Sequence, residues 1–203
     1  LSNSVVVQAQ GKVKIDSLCV KEYKDNRSTT PHQLPIYATS SFVFSSFDQG
    51  IDIFSGKEEG HSYGRYGNPT IDTVSQKLAD LEGYGTGLEA YGFLTSSGMS
   101  AISTIMLSLL KQGENILTQS DLYGGTTELF NKVLSPVGIK TVYMDLTILD
   151  SVEQTLRDNK GIKLIYIETP ANPTMRCIDI IGIAKLAKKY GVLTVADNTF
   201  CTP

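Results

Sequence analysis

From about residue 70 onward, short apolar runs alternate with longer segments in which apolar residues recur every three or four positions. The short runs are typical of buried strands, and the longer segments are typical of amphipathic helices. Parallel strands need a crossover connection, and a helix usually provides it. The alternation therefore predicts an α/β fold with a doubly wound, mainly parallel sheet. The predicted strands are 115–118, 139–144, 163–167 and 192–196, and the predicted helices are 71–82, 99–110, 126–134, 148–157 and 178–190.

Residues 1–62 lack this alternation of strand-like and helix-like patterns. They contain a polar stretch at 24–31 and an aromatic, β-branched run at 41–44, but no segment with the helical period of a self-contained core. We interpret residues 1–62 as an arm that packs against something else; a loose N-terminal extension explains the pattern equally well. Residues 63–203 are predicted to form the first part of an α/β domain that ends just after a strand, without a covering helix.

Charge and cysteine content exclude several classes of protein. The 18 Lys and Arg residues against 21 Asp and Glu residues give a net charge of -3, and no basic stripe predicts a nucleic-acid partner. No apolar stretch is long enough to span a membrane, and the N-terminus does not resemble a signal peptide. Three widely spaced cysteines, Cys19, Cys177 and Cys201, predict no disulfide framework. With these features, the default prediction is a cytoplasmic protein. His32 and His61 have no cysteine or carboxylate at metal-ligand spacing, so we infer no metal.

Ligands of open α/β sheets bind beyond the carboxyl ends of the strands, so the residues that follow each apolar run are the candidates for a site. The run 90–94, taken as the first strand, precedes Ser97 and Gly98 at the start of a helix. That turn can bind an anion, although a plain helix N-cap by Ser97 is the simpler interpretation. The run 115–118 precedes Tyr123, which either stacks on a ligand or covers the core from a loop.

Two further runs end in polar side chains. The run 163–167 leads to Asn172 between prolines, for which ordinary turn chemistry is the alternative. The last run ends at Asp197, and an acid at the end of a buried strand requires a cationic partner or a helix to cap. An anion-binding turn, a ring, an amide and an acid together suit a phosphorylated aromatic cofactor with a basic ring nitrogen. Pyridoxal 5'-phosphate (PLP) meets each requirement.

Five motifs occur in order along the chain. They are Ser62-Tyr63-Gly64-Arg65-Tyr66-Gly67-Asn68-Pro69-Thr70, Ser96-Ser97-Gly98-Met99, Asp121-Leu122-Tyr123-Gly124-Gly125-Thr126, Glu168-Thr169-Pro170-Ala171-Asn172-Pro173 and Asp197-Asn198-Thr199-Phe200. Together they resemble the Cys/Met-metabolism family of PLP enzymes, and most closely the methionine γ-lyases and cystathionine γ-lyases in it. The resemblance covers residues 34–203. It implies the large domain of an aspartate-aminotransferase-like PLP fold, preceded by the N-terminal arm and lacking its C-terminal part.

The resemblance implies which residues bind the cofactor phosphate. Gly98 and Met99 would donate backbone N–H bonds to it. Tyr63 and Arg65 would reach it from the neighbouring subunit, a task that suits the forked donors of arginine. This implies a homodimer or homotetramer with shared active sites, in which the arm of residues 1–62 reaches the neighbouring subunit.

The resemblance also implies which residues bind the cofactor ring. Tyr123 would stack on the ring and could act as a catalytic acid or base at the substrate. Asn172 would bond the phenolic oxygen of the ring. Asp197 would keep the ring nitrogen protonated, and Thr199 would support Asp197 from beside it.

One departure from the family concerns the lysine that holds the cofactor covalently. In the family it follows the strand that ends at Asp197, and no lysine of this chain has that context. Lys185, Lys188 and Lys189 fall on a polar helix face, and the family's arginine for the substrate carboxylate is also missing. We therefore expect this chain to be the N-terminal part of an enzyme and inactive by itself. A non-catalytic binding fragment is the alternative outside the enzymes.

The motifs favour one member of the family. Residues 168–173 and 198–203 look most like those of methionine γ-lyases, whereas cystathionine enzymes more often have serine at the position of Thr169. Gly125, in contrast, stands where many methionine γ-lyases have cysteine. We predict a lyase that eliminates the γ-substituent of a sulfur amino acid, with methionine giving a thiol, 2-oxobutanoate and ammonia. The alternatives are a cystathionine γ-lyase, or a γ-replacement enzyme such as cystathionine γ-synthase or O-acetylhomoserine sulfhydrylase.

A nucleotide-binding α/β domain is a further alternative. It would use the same Ser97-Gly98 turn. It would give no joint purpose to Tyr63, Arg65 and Asp197.

Overall fold

The structure is a computed structural model that describes residues 14–19 and 32–202. The chain divides into two compact units, the first extending to Leu94 and the second spanning Thr95–Thr202. The helices of the first unit are α1 (Ile15–Cys19), α2 (Phe47–Phe54) and α3 (Pro69–Glu82).

Helix α3 follows the sequence prediction closely. The Asn68 side chain accepts a hydrogen bond from the N–H of Thr70, Pro69 occupies the first turn, and the helix ends at Gly83. Sequence analysis did not predict α2. Its signals were Ser46, which caps the helix by accepting from the N–H of Gln49, and a short apolar stripe that follows.

The segment 90–94 is not a strand, so the prediction for it was wrong. None of the strands described in the structure pairs with it, and an extended segment without a neighbour lacks the ladder hydrogen bonds that stabilise a strand. Instead, Gly92 lies against α3, where an added Cβ would clash with the carbonyl oxygen of Ser75. Tyr91 and Phe93 are 73% and 82% exposed.

The second unit contains the predicted doubly wound sheet. Four parallel strands lie in the order β2-β1-β3-β4. They are β1 (Asn115–Thr118), β2 (Lys140–Tyr143), β3 (Ile162–Glu168) and β4 (Leu193–Asp197). The helical segments are α4 (Gly98–Leu109), α5 (Gly124–Glu128), a π-helical segment (Leu129–Leu134), a 3₁₀ turn (Ser135–Val137), α6 (Leu149–Asp158) and α7 (Ile180–Tyr190). The alternation of strands and helices predicted from the sequence is confirmed, with a π-helical segment in the second half of the predicted helix 126–134.

Alternate residues of the central strands face two separate cores. Ile116 and Tyr166 pack with residues of α4 and the π-helical segment. Leu117 and Ile165 pack on the other face with residues of α6 and α7. Because both faces are covered, the central strands are apolar along most of their length, as expected for a buried parallel sheet.

The strand order reverses between β1 and β3, because the chain moves from β1 outward to β2 and then returns to the other side of β1. The loops that follow β1 and β3 therefore leave the sheet side by side at its carboxyl edge. Such a switch point is where open α/β sheets place their ligands. Among the helices of the described ranges, none is long and apolar enough to cross a bilayer.

Candidate active site

Four predicted site residues lie at or just beyond the carboxyl ends of the strands. Tyr123 lies beyond the end of β1 and immediately precedes α5. Asn172 lies four residues beyond the end of β3. Asp197 is the last residue of β4, and Thr199 follows it. The parallel arrangement brings these three strand ends to the same edge.

Asp197 is half-buried, and neutral donors bind its carboxylate. The Tyr166 hydroxyl donates to Oδ2 at 2.9 Å. Thr199 donates to Oδ1 twice, from its hydroxyl at 2.5 Å and from its backbone N–H at 3.1 Å. Within the described part of the chain, no lysine or arginine forms an ion pair with Asp197. The predicted cationic partner is thus not supplied by these residues, and the carboxylate keeps its charge available for a cationic ligand.

Tyr166 is fully buried beneath this carboxylate. Burial, followed by the negative charge and the hydrogen bond of Asp197, raises the pKa of the Tyr166 phenol far above its usual range. The phenol therefore stays protonated at neutral pH. It is a permanent hydrogen-bond donor that orients the Asp197 side chain.

Gly98 and Met99 begin α4, as the motif predicts. The Ser97 side chain accepts from the N–H of Ser100, and the Ser97 carbonyl accepts from the N–H of Ala101. This capping leaves the N–H groups of Gly98 and Met99 without an acceptor among the residues described. A Cβ placed on Gly98 would have no heavy atom within 4 Å, so a ligand can approach this turn closely.

The Tyr123 ring lies over Gly125. A Cβ on Gly125 would be 2.7 Å from Cε1 of Tyr123 and 3.1 Å from the sulfur of Met99. The missing side chain at residue 125 therefore leaves the space that the ring occupies, and it brings Met99 of α4 close to the β1 loop. The ring is half exposed, so one face remains free to stack on a planar ligand.

Sequence analysis missed Glu168 and Gln119, which join the loops. Glu168 ends β3 and is buried, and its carboxylate accepts backbone N–H bonds from Tyr123 and Asn172, each at 2.8 Å. The Gln119 side chain donates to the Glu168 carbonyl at 2.7 Å and accepts from the Glu168 N–H at 3.3 Å. The only signal in the sequence was a carboxylate at the end of an apolar strand, the same signal that drew attention to Asp197.

Tyr63 and Arg65 belong to the first unit and lie next to each other. The Arg65 guanidinium carbon is 4.7 Å from the centre of the Tyr63 ring, a distance typical of a cation–π contact. The segment is held by an antiparallel bridge between Tyr63 and Ser41, and by the N–H of Gly64 donating to Ser40 at 2.8 Å. Arg65 is exposed and forms no ion pair with any described acidic residue, so its charge is available to an anion.

The residues of the second unit fit PLP. The half-buried carboxylate of Asp197, bound by neutral donors, suits a protonated ring nitrogen. The free N–H groups of Gly98 and Met99 suit a phosphate, and the Tyr123 ring suits a planar pyridine. Glu168 links the loops of Tyr123 and Asn172, and Met99 at the start of α4 lies close to the Tyr123 loop.

Comparison with known proteins agrees with this chemistry. Residues 16–203 match the sequence model of the family described as "Cys/Met metabolism PLP-dependent enzyme". L-methionine gamma-lyase of Pseudomonas putida is 37% identical over 169 residues, which cover 83% of this chain and 41% of that enzyme. Cystathionine beta-lyase of Bacillus subtilis is 40% identical over 181 residues, or 89% of this chain and 42% of that enzyme.

A solved structure shares the fold. It is that of a putative O-acetylhomoserine (thiol)-lyase from Campylobacter jejuni, which contains N'-pyridoxyl-lysine-5'-monophosphate. It matches with a TM-score of 0.82 and 31% identity over 95% of this chain and 46% of that one. The chain spans about two fifths of the length of the curated relatives it matches. With its parallel sheet, its linked strand-end loops and these similarities, the chain belongs to the family of Cys/Met metabolism PLP-dependent enzymes.

Proposed function

We propose that the protein carrying this chain is a PLP-dependent lyase that eliminates the γ-substituent of a sulfur amino acid. The observation that carries the proposal is the assembly of Tyr123, Asn172 and Asp197 at one edge of the sheet, with a free helix N-terminus nearby. PLP, when bound, supplies an electron sink for the carbanion that forms at the α-carbon of the substrate.

Each site residue has a distinct task in this proposal. The N–H groups of Gly98 and Met99 hold the phosphate. Asp197, kept in place by the Tyr166 hydroxyl and by Thr199, holds a proton on the ring nitrogen. Asn172 donates to the phenolic oxygen of the ring.

Tyr123 has two tasks. Its ring stacks on the cofactor, and its hydroxyl can give or take a proton at the substrate, because the residue is half exposed. The half-exposed position supports this proposal, because a catalytic acid or base must reach the substrate.

Methionine is the substrate we propose, with a thiol, 2-oxobutanoate and ammonia as products. Support comes from the Glu168-Thr169-Pro170 motif and from the similarity to a methionine γ-lyase. The cystathionine β-lyase is similar to the same degree, at 40% against 37% identity, so overall identity does not separate the substrates. A cystathionine γ-lyase or a γ-replacement enzyme is the second candidate. Gly125 favours it, because many methionine γ-lyases have cysteine there.

A substrate panel tests this proposal. The purified full-length protein that contains this chain, loaded with PLP, is incubated with methionine, with cystathionine, and with O-acetylhomoserine plus sulfide. We expect 2-oxobutanoate and a volatile thiol from methionine. Homocysteine formed from O-acetylhomoserine and sulfide, without 2-oxobutanoate from methionine, would establish replacement instead of elimination. Absence of all three reactions in a protein that binds PLP would overturn the proposal.

We also propose that the enzyme is a homodimer or homotetramer with shared sites, in which residues 1–62 form an arm that reaches the neighbouring subunit. Two features of the first unit support this. Arg65 is exposed beside Tyr63, with no described acid to neutralise it. Large apolar side chains of the same unit are also exposed, among them Ile36, Val43 and Phe47.

Finally, we propose a cytoplasmic location. Cys19, Cys177 and Cys201 are free thiols on exposed residues. A reducing compartment maintains thiols in this state.

A further inference from the structure

Glu168 occupies an unusual environment for a carboxylate. It is 5% exposed at the end of β3, and within the described ranges no lysine, arginine or histidine forms an ion pair with it. A buried charge of this kind is costly unless hydrogen bonds compensate for it. Both of its oxygens are compensated by backbone N–H groups, Oε2 by Tyr123 and Oε1 by Asn172.

These two donors come from different loops. Tyr123 follows β1, whereas Asn172 follows β3, and the two strands are neighbours in the sheet. One carboxylate group thus holds the backbone of both residues at a fixed separation, about the width of the carboxylate plus two hydrogen bonds. Their side chains are the ones proposed to contact the cofactor ring from above and at its phenolic oxygen.

Gln119 in turn fixes the backbone of Glu168. It is 1% exposed, and its side-chain amide makes two hydrogen bonds to the backbone of Glu168. These two bonds extend the hydrogen bonding between β1 and β3 beyond the last pair of backbone residues, Thr118 and Tyr166. The Glu168 backbone therefore has little freedom to shift along the strand.

We infer that Glu168 is a positioning residue for the cofactor: it sets the distance between the Tyr123 ring and the Asn172 side chain, and Gln119 holds it in register. This inference rests on the proposed function, because it assigns a ligand to the space between those side chains. A carboxylate is suited to the task because both of its oxygens accept. Glutamine at residue 168 would place an NH₂ group against one of the two N–H donors.

The test compares Glu168→Gln with Glu153→Gln in the holoenzyme. Glu153 on α6 is the control because its carboxylate also accepts two hydrogen bonds, although it is only half-buried and its donors are the side chains of Lys189 and Tyr190. We expect both variants to fold. Glu168→Gln alone should weaken PLP binding about ten-fold, the equivalent of one charge-assisted hydrogen bond, and should alter the visible circular dichroism of the bound cofactor.

A double-mutant cycle separates positioning from general support of the fold. If Glu168 acts through Asn172, the combined Glu168→Gln and Asn172→Ala variant loses less PLP affinity than the sum of the single changes. Additive losses, or an unchanged circular dichroism spectrum in Glu168→Gln, would overturn the inference.

Two further measurements cover the case in which Glu168→Gln does not fold, and separate this inference from the proposed lyase activity. Hydrogen exchange in the wild-type apoprotein should show protected amides at Tyr123 and Asn172, and rapid exchange at both would overturn the inference even if Glu168→Gln fails to fold. Methionine turnover of the wild-type holoenzyme is recorded in parallel. A wild type that is inactive on methionine, but in which Glu168→Gln changes PLP affinity and dichroism, would refute the proposed lyase and support the positioning role.

Discussion

The two compact units bury their apolar side chains to very different extents. In the second unit, two apolar clusters cover both faces of the sheet, and the central strand residues are almost fully buried. In the described part of the first unit, only Gly50, Ser75 and Ala79 are buried, while Phe47 is 84% exposed. The second unit therefore has its own core, whereas the first leaves large apolar side chains exposed.

The residues of the proposed site are divided between these two units. The ring-binding residues and the free α4 N-terminus belong to the unit with its own core, where hydrogen bonds between loops fix their positions. Tyr63 and Arg65 belong to the unit without one. In the proposed dimer, the residues of the second unit would therefore be fixed by their own core, whereas the positions of Tyr63 and Arg65 would depend on how the subunits associate.

The largest effect that we predict lies in the second unit, at Asp197. Asp197→Asn keeps the shape of the side chain but cannot stabilise a protonated ring nitrogen, so turnover should fall by about a thousandfold or more while much of the PLP remains bound. Steady-state assays and the absorbance of bound PLP measure the two quantities. Near-normal turnover in this variant would refute the role of Asp197.

A matched pair of phenylalanines tests the difference in burial directly. Phe130→Ala should cost about 3–5 kcal/mol of unfolding free energy, because the ring is fully buried. It packs edge-on against the Tyr166 ring, with 5.3 Å between the two ring centroids. Phe47→Ala should cost less than about 0.5 kcal/mol at concentrations where the protein is monomeric, because the ring is exposed within one chain.

Urea unfolding at several protein concentrations measures both changes. If Phe47→Ala lowers the unfolding free energy strongly, and this loss becomes smaller when the protein is diluted, a second subunit covers the ring. A large loss that is independent of concentration would contradict the description of the first unit as lacking a core.

A third prediction concerns the shared site. Arg65→Ala should weaken PLP binding by about 1.5–3 kcal/mol, the value of a charge-assisted hydrogen bond. Mixing Arg65→Ala subunits with Asp197→Asn subunits should restore activity, because one site of the mixed dimer then receives both defects and the other receives neither. If heterodimers form and activity does not return, Arg65 serves its own subunit.

The smallest predicted effect concerns the space beneath the Tyr123 ring. Gly125→Ala should displace the ring, whose Cε1 would be 2.7 Å from the new Cβ, and should weaken PLP binding by about 0.5–1.5 kcal/mol through poorer stacking. Gly124→Ala is the control, since its Cβ would meet nothing within 4 Å. Equal effects of the two substitutions would show that ring placement does not depend on residue 125.

Local signals in the sequence predicted most of the second unit. The apolar run at 115–118 predicted β1 with the same first and last residues as the structure. The cap at Ser97 predicted the start of α4. The run 90–94 was misassigned because strand formation depends on a neighbour, which composition does not reveal. Helix α2 was missed although Ser46 and the spacing of Phe47 and Phe54 indicated it.

The candidate site was predicted only in part. Motifs identified Tyr123, Asn172 and Asp197, whose roles remain predictions. Glu168 and Gln119 were missed because the contacts of Glu168 with Tyr123 and with Gln119 join residues that are distant in sequence, and such contacts follow from the strand order. The proposed action of Arg65 on a neighbouring subunit likewise depends on assembly, which single-chain patterns do not contain.

The exposed apolar side chains of the first unit have a consequence for synthesis in the cell. This unit leaves the ribosome before the second, whose 108 residues (95–202) take roughly 5–20 s to translate. Throughout that interval, exposed apolar side chains such as Phe47 and Val43 are present on a nascent chain whose second unit has not yet folded. Nascent chains should therefore recruit chaperones at this stage, and slower translation of the second unit should increase aggregation before assembly.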